Sequence, residues 1–514
     1  MPASPQPHFS REDASDGSDP APNDLKQRTV HGGLVAVCTQ AVKFVLRTVS
    51  LVILARLLSP EDFGLVGMVI AVTGFFNLFK EVGLPAVTVQ RTSITQAQLS
   101  MLFWINLGVG AVLTIVCAAL APMLAAFYRE PRLTWIAVIL GVGFVFGGAC
   151  AQHYAILQRR LRFVMLSTLE ITSLVLGLAT SVGMAAAGQG YWALVASAIA
   201  PQAASAVGLW LASGWVPGMP RRLPGTRAML RFGGTATLNL MVMYIGRSVD
   251  KILLGRFWGA ETLGIYGRGA QLINLPTENL NDAIGVVAFP ALARVQNDPQ
   301  RLRSYFLKGY SLFLSVVMPI TMAGALLAED IILVFLGPKW HDVAPVFRLM
   351  APAAAAWGLI HPFGWLLWAT GRVGRNLKIA LVVASVALVG YAAGLAYGPR
   401  GVAGGYAIAM VLMIAPVVRW SKHGTLITTR DALQAMMHPF VSVLIGAVAT
   451  LGAHNHLAKV EPALLRLAMA TVLFFGVYLL ILLFVMRQKP VYVSLLRDFG
   501  FWSVARPEMQ RTKG

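Results

Sequence analysis

Apolar residues recur along this chain in runs of about twenty, a length that lets a helix cross ~30 Å of hydrocarbon. A backbone in lipid must satisfy its hydrogen bonds within its own segment, so such runs are read as helices. Bounded by Pro, Gly and charge, they fall at 30–57, 62–86, 97–125, 134–157, 163–187, 190–213, 232–257, 262–292, 305–328, 342–370, 376–397, 401–420, 435–453 and 463–486. The expectation is an all-α membrane protein with about fourteen transmembrane helices. The second and eighth runs are the least regular, interrupted by polar residues and by Pro276.

Composition agrees with that reading. Apolar types make up 57% of 514 residues and charged types only 12%, whereas soluble domains carry about a quarter charged residues. A net charge of +20 raises the question of nucleic acid. Its placement answers it: Lys and Arg sit in short clusters between apolar runs, and no basic stripe alternates with exposed aromatics. Cys38, Cys117 and Cys150 all lie inside apolar runs and read as small packing residues, not as ligands or a disulfide framework.

The basic clusters also orient the chain. With the N-terminus inside, inner loops hold Arg159, Arg160 and Arg162, then Arg221, Arg222, Arg227 and Arg231, then Arg372, Arg375 and Lys378, among others. The opposite side holds chiefly Arg129, Arg132, Lys339, Arg400 and Lys459. The positive-inside rule therefore puts both termini in the cytoplasm. Residues 1–29 lack an apolar signal core and read as a disordered cytoplasmic tail, and 487–514 as a basic one. No loop is long enough to be a catalytic domain, which weighs against an enzyme.

An internal repeat at an offset of 200 changes the picture most. Gly33–Gly67 and Gly233–Gly267 align without a gap, with Arg47/Arg247, Arg56/Arg256, Glu61/Glu261, Gly64/Gly264 and Gly67/Gly267 coincident. A weaker echo links 188–200 to 398–410. Two six-helix lobes in the same orientation are expected at 30–213 and 232–420, joined by a cytoplasmic linker at 214–231 and followed by two extra helices at 435–486. Parallel repeats of this kind mark transporters that rock two lobes about a midplane site.

The stretches SVDKILLGRFWGAETLGIYGRGAQLINLP (248–276) and VVAFPALARVQNDPQRLRSYF (286–306), with ARLLSPEDFGLVGMV (55–69) as the first-repeat version, resemble the colanic-acid-exporter branch of the multidrug/oligosaccharidyl-lipid/polysaccharide superfamily. That resemblance implies a V-shaped two-lobed fold in a bacterial inner membrane. It also implies export of polyprenyl-diphosphate-linked oligosaccharide units for exopolysaccharide, capsule or O-antigen. Expected partners are that lipid-linked oligosaccharide, membrane lipids, and a glycan polymerase and glycosyltransferases; no cofactor or metal is expected. Competing readings are a lipid-linked peptidoglycan-precursor flippase and a drug/cation antiporter of the same superfamily, and, from another class, a bilayer-embedded glycan polymerase. A surplus of intramembrane Lys and Arg speaks against cationic drugs.

A charge at bilayer depth needs a partner, a cavity or a function. In the first span Gln40, Lys43, Arg47 and Ser50 share one helical face, and in the seventh Arg247 and Lys251 do so, with Asp250 beside them. In the eighth, Gln271, Asn274, Glu278 and Asp282 form a polar stripe with Arg268 above it. Candidate substrate-binding residues are therefore Arg47, Arg247, Lys43, Lys251 and Arg268, since guanidinium forks and ammonium charges suit phosphate oxygens. The competing reading is a structural network such as Arg247–Asp250 and Lys251–Glu278. Asp250, Glu278 and Asp282 are candidate charge partners or carboxylates for H+ or Na+ coupling.

Weaker signals receive ordinary readings. Glu170 and Arg348 suit local pairs or snorkelling, and His153 and His361 suit satisfied interior histidines. GVGFVFGG (141–148) reads as small-residue helix packing rather than a nucleotide fingerprint. Pro276, Pro319, Pro352 and Pro362 are expected to kink helices. Trp258, Tyr266, Trp340 and Trp368 are expected at membrane edges, where amphipathic rings collect.

Overall fold

The computed structural model describes residues 22–80, 88, 94–219 and 226–489. Within them the chain is helical throughout, with α1 at Pro22–Leu57, α2 at Pro60–Lys80, α3 at Gln96–Tyr128, α4 at Leu133–Arg159, α5 at Phe163–Ala186 and α6 at Tyr191–Ser213. A helical stretch Thr226–Arg294 breaks at Gly259 into α7 (226–258) and α8 (260–294). Then follow α9 at Pro299–Leu326, α10 at Val343–Ala369, α11 at Val373–Gly394, α12 at Gly398–Lys422, α13 at Thr429–Gly452 and α14 at Ala463–Leu480. Those are the fourteen long helices expected from the apolar runs. Ten stretches of the described chain are long and apolar enough to cross a membrane, one of them running through both α11 and α12.

Local chemistry sets the helix ends. Thr95 caps α3 and exchanges hydrogen bonds with Gln98, and Thr428 does the same for α13 with Asp431, satisfying amides left open in a first turn. Asp298 caps α9 ahead of Pro299. At its N-terminal end α1 starts at Pro22, earlier than the apolar run read at 30–57. Pro276, Pro319, Pro352 and Pro362 all lie inside helices. A non-helical break falls at Gly259, between the seventh and eighth apolar runs, where a φ of 82° is one a side chain would resist.

The two repeats are built alike. Helix α3 packs on α4 as α9 packs on α10; α4 on α6 as α10 on α12; and α5 on α6 as α11 on α12. They meet along α2 and α8. A Cβ on Gly64 would fall 1.7 Å from the Ala260 carbonyl oxygen, and one on Gly264 would fall 1.9 Å from that of Pro60. Gly64/Gly264 and Pro60/Ala260 are both repeat-equivalent pairs, so this is one contact made twice about a pseudo-twofold axis. A continuous apolar core crosses it, from Leu54, Phe63 and Leu65 to Leu254, Leu263, Val346 and Phe347.

The last two helices lie on the second repeat. Asp431 of α13 receives both arms of Arg303 on α9, at 2.7 and 2.9 Å. Arg466 of α14 donates to Asp330 at 2.8 Å, and the Tyr478 hydroxyl donates to the Ser315 carbonyl at 2.6 Å. The run at 141–148 packs closely, as its small residues suggest: a Cβ on Gly148 would lie 2.4 Å from the Asn106 carbonyl of α3.

Candidate functional site

The first polar face belongs to α1. Arg47 lies ten residues before Leu57, which at 1.5 Å per residue is about 15 Å below that helix end, near mid-depth. Its side chain is exposed, and among the described residues it has no acidic partner. Lys43, one turn away, is different. Its ammonium donates to Glu170 of α5 at 2.8 Å, with 15% and 28% of the two side chains exposed. The Tyr154 hydroxyl of α4 reaches the other oxygen of Glu170 at 3.3 Å. Glu170 thus has a local pair, and the pair is one of the candidate cations.

On the second repeat the charges are arranged otherwise. Asp250 is buried, accepts from the Tyr266 hydroxyl at 2.8 Å, and has no partner for its other oxygen among the described residues. Lys251 and Glu278 form no ion pair with one another; Lys251 is half-buried and Glu278 exposed. The side chains of Arg247 and Asp282 lie outside the described residues. Arg268 packs its guanidinium 4.3 Å from the Phe63 ring centroid and donates to Gln271. That cation–π contact spans the two repeats at the α2–α8 seam.

Two aromatics expected at membrane edges are instead interior. Trp340 is fully buried, donates its indole N–H to the Ala55 carbonyl at 2.8 Å, and meets Phe63 edge-on at 5.2 Å. Tyr266 is also fully buried against Asp250. Each has a polar tip satisfied inside the protein, which removes the reason to sit at a wet interface. Trp258 and Trp368 do remain exposed.

These contacts place the repeat signature at one end of the seam. Arg56 donates to the Val334 carbonyl at 2.6 Å, and its repeat counterpart Arg256 lies 5.6 Å from the Phe127 ring centroid. Each therefore reaches from its own repeat into the other. Nearby, Arg132 in the α3–α4 turn bridges Glu61 and Glu130, both at 2.7 Å. Its guanidinium holds the Glu130 carboxyl below the usual carboxylate range. Asp62 accepts from the backbone and hydroxyl of Ser59.

Sequence reasoning missed two partners, Glu170 for Lys43 and Tyr266 for Asp250. An acidic residue seven positions inside an apolar run was the available signal for the first. The sequence placed the charges by helix face, while the partners lie across helix boundaries. His153 is interior but only half satisfied, with Nδ1 2.8 Å from the Ser213 hydroxyl and Nε2 without a partner among the described residues. Arg348 behaves as expected, paired to Glu329 at 3.1 Å.

Two sets of six repeat-related helices, joined at a glycine seam and with two more helices packed on the second set, make up this fold. The Lipid II flippase MurJ, in an inward closed conformation, has that fold with a TM-score of 0.69 at 13% identity, over 90% of this chain and 99% of that one. A multidrug resistance MATE family transporter of the MOP superfamily, inward-facing, gives 0.57 at 15% identity, over 73% and 93%. The profile of the family described as polysaccharide biosynthesis protein matches residues 53–345, and the chain belongs to that family. Teichuronic acid biosynthesis protein TuaB of Bacillus subtilis is 30% identical over 58% of this chain and 62% of its own length. Lipopolysaccharide biosynthesis protein WzxC of Escherichia coli is 25% identical over 69% and 72%.

Proposed function

We propose that this protein flips a polyprenyl-diphosphate-linked oligosaccharide across a bacterial inner membrane, with both termini in the cytoplasm. The observation that carries this reading is Arg47, exposed at mid-depth with no acidic partner among the described residues. An unpaired cation there is costly unless it faces water or an anion. A diphosphate meets the matching obstacle, because its charge loses water on entering lipid. Each lowers the other's cost when the guanidinium replaces water around the phosphates while the polyprenyl tail stays in the bilayer.

Lys43, Lys251, Arg247 and Arg268 are the further cations of this site, and the lipid-linked sugar is delivered and consumed by glycosyltransferases and a polymerase. Glu278 and Asp282 are the carboxylates through which an H+ or Na+ gradient would be coupled; export in vesicles indifferent to both gradients removes that role. The family and the names of TuaB and WzxC support the substrate class. The test is export of glycan by cells carrying Arg47→Ala or Arg247→Ala at normal protein level. Loss of export is expected, and undiminished export overturns the assignment.

A further inference from the structure

The Lys43–Glu170 pair has three features that a purely structural tie does not need. It is half-buried rather than sealed, with 15% and 28% of the side chains exposed. It exists in one repeat only, since Met243 occupies the position equivalent to Lys43, so the repeated architecture does not require it. And it sits one helical turn from Arg47, which among the described residues has no acidic partner. Residues at i and i+4 lie on the same helix face. Two cations are thus adjacent on α1, one held by an internal carboxylate and one with no acidic partner among the described residues.

Resting on the function proposed above, we infer that Glu170 is an internal stand-in for the substrate anion: it holds Lys43 while the site is empty and gives it up to the diphosphate. A diphosphate offers two anionic groups to two cations one turn apart. Its first phosphate takes Arg47, and the second competes with Glu170 for Lys43. Glu170 retains the Tyr154 hydroxyl, so the displaced carboxylate keeps a donor. When the substrate leaves, Glu170 reclaims Lys43, and exchange of one anion for another replaces the exposure of a bare ammonium in the bilayer. The carboxylate therefore sets affinity and release, favouring headgroups with enough charge to displace it.

The experiment measures binding of a polyprenyl diphosphate to purified full-length protein in lipid nanodiscs, with neutral polyprenol as the control. Glu170→Gln removes the competitor and is expected to tighten binding by about tenfold, through a slower off-rate. Glu170→Asp restores the charge and should return affinity toward wild type. Lys43→Met is expected to weaken binding, and Glu170→Gln added to it should then have no effect. Unchanged or weaker binding in well-folded Glu170→Gln overturns the inference. If that variant does not fold, wild-type binding by Lys43→Met overturns it equally. Arg47→Ala separates the two claims: full binding by that variant defeats the underlying reading, whereas lost binding with no gain from Glu170→Gln defeats only the stand-in role.

Discussion

The two repeats share a backbone plan and differ in what they do with charge. At the seam the sequence is symmetric: Gly64 and Gly264 each lie against the start of the other's helix. Along α1 and α7 it is not. Ser50 and Leu51 in the first repeat stand where Asp250 and Lys251 stand in the second, and Lys43 stands where the second has Met243. The first repeat keeps its carboxylate half-exposed on a lysine; the second buries Asp250 beneath Tyr266. Close helix approach is a backbone requirement and was kept in both copies. Polar function depends on side chains, so each copy was free to specialise.

The largest effects should come from the symmetric part. Gly64→Ala and Gly264→Ala each place a methyl group inside van der Waals contact with a backbone carbonyl. Overpacking of that kind is expected to cost about 3 kcal/mol, read as a lower unfolding temperature in detergent. Similar losses for both variants sharpen the pseudo-symmetry; a neutral result for either breaks it. Next comes Tyr266→Phe, which takes away the hydrogen bond that a buried carboxylate accepts, at about 2 kcal/mol. Its repeat counterpart, Val66, carries no such burden, so Val66→Ala should show only the loss of packing.

Trp340→Phe keeps the aromatic packing on Phe63 and deletes the indole bond to Ala55 across the seam, an effect of about 1 kcal/mol. The smallest effect is electrostatic. Because Arg132 depresses the Glu130 carboxyl in the folded protein, that pair stabilises above the unfolded-state pKa, about 4.3. The contribution disappears as pH falls through the lower folded value. Glu130→Gln should therefore lower stability at neutral pH by an amount on the order of 0.5 kcal/mol, a difference that vanishes as pH falls below the folded value and so flattens the acid limb. An unchanged acid limb removes the pair from the account.

Much of the fold was legible because membrane helices announce themselves by run length, and the repeat by identical residues at a fixed offset. The Gly259 break falls in the gap between the runs read at 232–257 and 262–292, although Pro276 is the stronger helix breaker by propensity. The candidate site was legible by helix face, which brought Lys43 and Arg47 together on α1. Helix face says nothing of the neighbour. Glu170 is 127 positions from Lys43 and Trp340 is 285 from Ala55, and such pairings follow from tertiary packing. Tyr266 and Trp340 looked like interfacial rings because amphipathic side chains near span ends are ambiguous until a partner for the polar tip is known.

The central claim is that a guanidinium at mid-depth on α1 receives the phosphates of a lipid-linked sugar. The most direct measurement is equilibrium binding of a polyprenyl diphosphate to wild type, Arg47→Lys and Arg47→Ala in nanodiscs. At least about a tenfold loss for alanine, with lysine between the two, is the predicted order. Equal affinity in all three proteins would contradict the account.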